Sequence, residues 1–326
     1  MEKSNESMPI QYLDFEMPIK AINDQIEELK EMEKKTQISM VDKITILEQQ
    51  LEDEKIRLTK ELTTWQKVQL SRHPNRPYTV FYADKMADSL IELHGDRNVK
   101  DDKAIVCYMA KIDGKSVMII GHQKGVNTKM RQYRNFGMPN PEGYRKALRM
   151  MKMAEKFNIP VVTFIDTPGA FPGIEAEDRG QAEAIARNLF EMAKLQVPIL
   201  CYVIGEGASG GALGIGVGDK TFMLQNTWFT VISPESCSSI LWRSWEHKER
   251  AAEALKLTPE DNLKNGIIDE IVPEPAGGAH YKPEEMALTL KQHILKNIES
   301  LEKISPEKRI EDRIEKYSKM STALEI

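Results

Sequence analysis

Of the 19 glycines in this chain of 326 residues, seven crowd into Gly205-Glu206-Gly207-Ala208-Ser209-Gly210-Gly211-Ala212-Leu213-Gly214-Ile215-Gly216-Val217-Gly218. The stretch follows Val197–Ile204, an apolar run with the length of a buried strand. A helix beginning near Ser209 contains Gly210, Gly211, Gly214 and Gly216. Each costs about 0.8–1 kcal/mol against alanine in a helix interior, so together up to about 4 kcal/mol. Net stability is typically about 5–15 kcal/mol, so this is not a neutral choice. Something approaches the backbone too closely for a Cβ: a neighbouring helix, or a ligand at the helix N-terminus.

Three motifs overlap these glycines or imitate them. Gly205-x-Gly207-x-x-Gly210 has the dinucleotide spacing after a strand, but Gln225 and Asn226 stand where the ribose-binding acid is required. That argues against a nicotinamide enzyme. Gly207-x-Ser209-x-Gly211 has the spacing of a nucleophile elbow, with His247, His280, His293, Asp261 and Asp269 downstream. A serine hydrolase acting through Ser209 is thus one alternative, although it leaves the extra glycines unexplained. Gly114-Lys115-Ser116 imitates a phosphate loop, but Met109 takes the place of its first glycine. Asp113-Gly114 reads instead as a hairpin turn.

Around the cluster, strands and helices alternate. Ala104–Ile112, Ser116–Gly121, Ile159–Ile165, Val197–Ile204, Thr221–Leu224, Trp228–Ile232 and Gly266–Val272 read as strands. A helix starts at Asn140-Pro141, and another covers Asp178–Lys194 with Ala182, Ile185, Ala186 and Leu189 inward. The alternation implies an α/β fold with parallel strands. The first 70 or so residues differ: Ile19, Ile22, Ile26 and Leu29, then Ile44, Leu47, Leu51, Leu58, Leu62 and Trp65, recur at helical spacing. They predict a hairpin of two long helices breaking near Thr36–Met40, a packing or assembly arm. His73-Pro74-Asn75-Arg76-Pro77 reads as a linker, and the charged helical tail from Pro283 as a solvated outer layer.

Charge and cysteine content narrow the function. The net charge of −5 argues against a dominant nucleic-acid or membrane-surface role. The polar start, Met1 to Pro9, and the lack of an apolar run near 20 residues point to a soluble cytoplasmic protein. Cys107, Cys201 and Cys237 form no CxxC pair and the six histidines are scattered, so no metal site is signalled. One window departs from the acidic total. Lys124, Lys129, Arg131, Arg134, Arg145, Lys146 and Arg149 face the single acid Glu142, which makes either a solvated surface or an anion site. A second glycine loop, Asp166-Thr167-Pro168-Gly169-Ala170-Phe171-Pro172-Gly173, ends the Ile159–Ile165 strand, with Asp166 read as a loop cap. Two such loops at the ends of parallel strands can aim backbone N–H groups at one oxygen, an oxyanion hole.

With these residues assembled, the chain resembles the alpha-subunit family of bacterial acetyl-coenzyme A carboxylase carboxyltransferases. The resemblance rests on Leu13-Asp14-Phe15-Glu16, Arg72-His73-Pro74-x-Arg76-Pro77-Tyr78, Gly121-His122-Gln123-Lys124-Gly125, Arg134-Asn135-Phe136-Gly137-Met138-Pro139 and Arg179-Gly180-Gln181. It continues through both glycine loops, Val231-Ile232-Ser233-Pro234-Glu235 and Pro273-Glu274-Pro275-x-Gly277-Gly278-Ala279-His280, in order over nearly the whole chain. It implies a crotonase-like superhelix of ββα units (76–326) behind an N-terminal helical hairpin (1–75). It also implies carboxyl transfer from carboxybiotin on a carrier protein to acetyl-CoA, giving malonyl-CoA for fatty acid synthesis.

Expected partners are a zinc-ribbon beta subunit, the biotin carboxyl carrier protein and biotin carboxylase, in a complex with two alpha and two beta subunits. No metal is expected in this chain. The cofactor supplies the base, so no poised side chain is required. The implied catalytic groups are main-chain amides at Gly210, Gly211, Gly169 and Ala170, with Gly207, Ser209, Lys124 and Arg134 binding biotin or substrate. A self-sufficient crotonase-type hydratase or isomerase, using Glu206 or Glu175, is the other enzymatic alternative.

Overall fold

A computed structural model describes residues 10–320. The polar start at residues 1–9 lies outside the described residues. The N-terminal periodicity forms α1 (Met17–Thr36) and α2 (Val41–Glu61), packed on each other across the expected break. Next come α3 (Thr64–Ser71), held by a Thr63–Gln66 capping box, and α4 (Thr79–Met86). β1 (Ser89–Glu92), β2 (Ile105–Ile112) and β3 (Lys115–His122) form an antiparallel meander. Asp113 and Gly114 both take positive φ at its tight turn, 45° and 80°, as the dipeptide requires.

The parallel half follows, through α5 (Thr128–Tyr133), α6 (Pro141–Lys156), β4 (Val161–Thr167), α7 (Ile174–Asp178), α8 (Gln181–Met192) and β5 (Ile199–Ala208). It continues with α9 (Ser209–Leu213), β6 (Lys220–Leu224), β7 (Trp228–Thr230), α10 (Pro234–Trp242), α11 (Lys248–Leu255), α12 (Pro259–Lys264) and β8 (Glu270–Val272). The chain closes with α13 (Pro283–Glu302) and α14 (Pro306–Lys319). The sheet runs β1-β2-β3-β4-β5-β6-β8, and β7 pairs with the end of β5.

β4 and β5 lie centrally and are buried along their whole lengths, which is why they read as continuous apolar runs. One face of the sheet packs on Tyr144, Ala147 and Met151 of α6 and Ala184 and Met192 of α8. The other packs on Tyr82 and Met86 of α4 and Leu290, Ile294 and Ile298 of α13. No helix among the described residues is long and apolar enough to cross a membrane.

Three expectations are corrected. The tail is not merely a solvated layer, since α13 fills one side of the core and Arg313 of α14 is buried against Asp219. The segment read as a linker is buried: Arg76 is 1% exposed, paired with Glu274 and donating to the Ile204 carbonyl at 2.7 Å. The helix over Asp178–Lys194 divides at Gly180, φ 82°, and the buried face of α8 is Gln181, Ala184, Asn188 and Met192. Asn188 sits inward because its amide donates to the carbonyls of Tyr144 and Gly214, at 3.0 and 2.8 Å.

Candidate active site at the ends of β4 and β5

β4 and β5 are parallel neighbours, so the loops leaving their carboxyl ends emerge side by side. Thr167 pairs in register with Gly207. From there Pro168–Gly173 leads into α7, and Ser209 turns the chain into α9. Ser209 is exposed and takes φ 54°, a left-handed conformation that a serine holds only where its surroundings enforce it. The helix after it has five residues, so Gly214 and Gly216 lie beyond its last turn. Much of the helical glycine cost expected from the sequence therefore does not arise.

What several of these glycines avoid is visible in the fold. A Cβ on Gly211 would lie 2.5 Å from the carbonyl carbon of Gly169 and collide with the amide nitrogen of Ala170, so the two loops touch backbone to backbone. Gly214 makes room for the Tyr144 ring and Gly205 for the Asp166 carboxylate. Gly207 is a sheet residue between Thr167 and Phe229, and its missing Cβ admits the Phe229 ring. Gly210 is different. A Cβ there would meet only Ile185 atoms at 3.8 and 3.9 Å, an ordinary contact. Gly169 is open too, but its φ of 142° demands glycine.

Buried side chains hold the loops from behind. Tyr144 Oη donates to the Gly211 carbonyl at 3.1 Å. Gln181 Nε2 donates to the carbonyls of Pro139 and Phe171, both at 2.9 Å. Thr167 Oγ1 donates to the Gly137 carbonyl at 2.6 Å and accepts the Gly169 N–H at 3.1 Å. Beside the loops is a cleft of about 210 Å³ lined by Arg72, Tyr78, Lys124, Arg131, Phe136 and Glu206. Its rim includes a run of three left-handed residues, Asn135, Phe136 and Gly137, at φ 47°, 55° and 76°.

The basic window is dispersed by the fold. Lys124 is buried, with Nζ 2.5 Å from both Asp166 Oδ1 and Glu206 Oε2. Arg72 donates to the other oxygen of Glu206 at 2.6 Å and to Glu235. Burial opposes the charge on Glu206, but Lys124 and Arg72 outweigh it and hold the carboxyl below its usual range. Burial raises Asp166 despite Lys124. Asp166 does not cap its own loop as expected: its Oδ1 accepts the Glu206 N–H of the neighbouring strand at 2.9 Å. Arg134 lies apart from Lys124, at the end of α5, donating to the Lys103 carbonyl at 3.1 Å and covering the Tyr133 ring. The sequence reading did not single out Tyr144, Asn188, Arg72 and Glu235 as candidate site residues: Arg72 and Glu235 stand within stretches that carry the resemblance, but nothing local distinguishes Asn188 or Tyr144 from packing residues.

The histidines are not all scattered in space. His73 and His280 stack at 3.9 Å beside Glu16, their donor atoms within 4.8 Å of one another. Those atoms are already engaged: Glu16 accepts from Leu13 N, His280 Nε2 and Tyr281 Oη, and His73 Nε2 meets the Gln11 carbonyl.

Residues 12–321 match the family of acetyl co-enzyme A carboxylase carboxyltransferase-like proteins. The chain belongs to that family. The acetyl-coenzyme A carboxylase carboxyl transferase subunit alpha of Flavobacterium johnsoniae is 59% identical over 312 residues, 95% of this chain and 98% of the relative. That of Chlorobium limicola is 56% identical over 322 residues, 94% of this chain and 97% of the relative. Among solved structures, transcarboxylase 12S with methylmalonyl-coenzyme A and methylmalonic acid bound aligns at TM-score 0.53 and 20% identity, over 68% of this chain and 42% of that one. The beta subunit of Pseudomonas aeruginosa geranyl-CoA carboxylase aligns at TM-score 0.53 and 19% identity, over 73% and 45%. The crotonase-like α/β fold expected from the sequence is the fold observed.

In this carboxyltransferase the downstream histidines and aspartates that a nucleophile elbow at Ser209 would need are each engaged elsewhere. His280 is bound to Glu16, His293 to Tyr202, and His247 lies against Trp242. Asp261 caps α12 with Thr258, and Asp269 binds Thr221 N and Lys316.

Proposed function

We propose that this chain is the alpha half of the carboxyltransferase of acetyl-CoA carboxylase, moving a carboxyl group from carboxybiotin on a carrier protein to acetyl-CoA. The product, malonyl-CoA, feeds fatty acid synthesis. The backbone contact of Gly211 with Gly169–Ala170, next to a Gly210 that no close packing requires, carries the reading. Packing within the chain accounts for Gly211 but not for Gly210, where a Cβ would make only an ordinary contact with Ile185, so a role toward a ligand is left for that glycine. The residues therefore fit biotin, with the main chain of Gly169, Ala170, Gly210 and Gly211 holding it and the exposed Ser209 at its edge. Bound carboxybiotin supplies the carboxyl group and a ring nitrogen able to take a proton from the acyl thioester.

The chain's own task is to hold negative charge with fixed main-chain donors. One well-aimed donor is worth about 2.7–4 kcal/mol, and rigid loops need no reorganisation as charge develops. Glu206, ionised between Lys124 and Arg72, is poorly placed to deliver a proton, which disfavours the hydratase alternative. Under this reading a zinc-ribbon beta subunit supplies the acyl-CoA side. The biotin carboxyl carrier protein and biotin carboxylase complete a cytoplasmic complex containing two alpha and two beta chains.

The test is the reverse reaction. Mixed with its beta subunit, the purified chain is expected to form acetyl-CoA from malonyl-CoA and a free biotin derivative, while each chain alone stays inactive. Carboxyl transfer by this chain alone, or hydration of an enoyl-CoA, overturns the assignment.

A further inference from the structure

We infer that Lys124 is a positioning residue whose ammonium group ties the ends of β4 and β5 together and so sets the contact between the two glycine loops. The kinetic part of its test rests on the carboxyl transfer proposed above. Asp166 stands just before Thr167-Pro168-Gly169, and Glu206 just before the Gly207–Gly211 turn. Lys124 Nζ lies 2.5 Å from each carboxylate. The sheet leaves this one step to the side chains, because the β4–β5 ladder shifts register between Ile165 and Thr167 before it resumes at Thr167–Gly207. The clamp fills that break, aided by the Glu206 N–H donating to Asp166 Oδ1 at 2.9 Å. Two glycines admit it: a Cβ on Gly137 would lie 2.6 Å from Lys124 Cγ, and one on Gly205 would collide with the Asp166 carboxylate.

Without the cation, two buried carboxylates face one vacated position, and like charges so close cannot both stay ionised at no cost. Other charges around them do not replace it. Behind Glu206, Arg72 from the end of α3 is shared with Glu235 of α10. Tyr78, ahead of α4, interacts with Arg131 of α5. At the end of β3, burial and then the Lys124 charge hold His122 neutral, at about 3. Arg76 is committed to Glu274.

The test uses the assembled alpha–beta enzyme with Lys124→Met, Lys124→Arg and the double variant Lys124→Met/Glu206→Gln. Lys124→Met is expected to lower kcat at least about tenfold with KM for malonyl-CoA changed less than about twofold, since a positioning residue does not touch substrate. Amide exchange across 167–173 and 207–213 is expected to quicken. Its kcat is expected to recover as pH falls from about 8 to about 6, where the two carboxylates come to share a proton, an acid limb the wild type lacks. Lys124→Arg, which keeps the cation, is expected to retain more activity than Lys124→Met. The double variant restores the charge balance and gives Asp166 an amide donor, so it is expected to regain kcat and lose the acid limb.

A raised KM with kcat preserved would assign Lys124 to ligand binding and overturn the inference. So would unchanged exchange, or equal pH-independent losses in the single and double variants. If Lys124→Met does not fold, the charge-balanced double variant decides: activity within about tenfold of wild type supports the clamp, and a folded but inactive protein refutes it. If wild type shows no carboxyl transfer, the functional assignment fails, while amide exchange still judges the clamp.

Discussion

At the scale of the residue, Gly210 and Gly211 are adjacent, identical in sequence and opposite in what constrains them. A methyl group on Gly211 has nowhere to go, because what it meets is the Gly169–Ala170 backbone rather than a side chain that can turn aside. If the main chain at Gly211 serves as an oxyanion donor, Gly211→Ala keeps that N–H but pushes it out of line, so kcat is expected to fall by up to about 10²–10³, and overpacking to destabilise the fold by about 1–3 kcal/mol. Gly210→Ala separates the two effects. Its Cβ fits at 3.8 Å, so stability is expected to hold or rise by up to about 1 kcal/mol. Carboxyl transfer is nevertheless expected to fall at least about tenfold, since an open glycine that serves a ligand cannot be filled without excluding it. Thermal unfolding and reverse-reaction kinetics on the same preparations check both. A fully active Gly210→Ala enzyme would remove the ligand side of the argument.

At the scale of the element, α9 is too short to be stable alone and is held by neighbours. Tyr144 of α6 reaches the Gly211 carbonyl, and Asn188 of α8 reaches Gly214. Asn188→Leu leaves two buried carbonyls without that donor, so a loss of about 1–3 kcal/mol is expected, measured as a lower urea midpoint. Tyr144→Phe removes one hydrogen bond and no volume, about 1 kcal/mol, with a severalfold drop in kcat as the Gly211 peptide loses its anchor. The alternating strands were legible in the sequence because each apolar run is bounded by its own turn residues. The inward face of α8 was not. Periodicity favoured its alanines, while the fold turned Asn188 inward to serve carbonyls from two distant elements.

At the scale of the whole molecule, the helical arm is anchored at its root. Glu16, just before α1, accepts hydrogen bonds from His280 and Tyr281, and Arg72 at the end of α3 reaches Glu206 at the site. Burial opposes the Glu16 charge, but hydrogen bonds from His280 and His73 prevail and bring its carboxyl to about 2. Burial lowers His280 to about 4 against the pull of Glu16. Both folded values lie below the unfolded ones, so both contributions are complete at neutral pH and lost in acid. Stability is expected to fall first as pH drops from 6.5 towards 4, where the unfolded chain takes a proton that His280 and His122 refuse. A further loss follows between 4.5 and 2 from Glu16. Chemical denaturation across pH checks the profile. Glu16→Gln is expected to flatten its lower limb and to speed proteolysis within α1 and α2.

The alternation of β2 to β8 with helices, the two long N-terminal helices and the positions of both glycine loops were determined by the sequence alone, whereas β1, α3, α4 and α10 to α12 were not legible in it. Apolar period, turn dipeptides and glycine density are local properties that survive without knowledge of any partner. Tertiary structure alone decided which glycine faces the chain's own backbone, as Gly211 does, and which has room for a Cβ, as Gly210 does. It also decided that Lys124 meets two carboxylates, that Arg76 is buried rather than in a linker, and that His73 and His280 stack on Glu16. Each of these joins residues dozens to hundreds of positions apart. The energy of a buried charge depends on which groups the fold brings within hydrogen-bonding reach, and no local pattern encodes that distance.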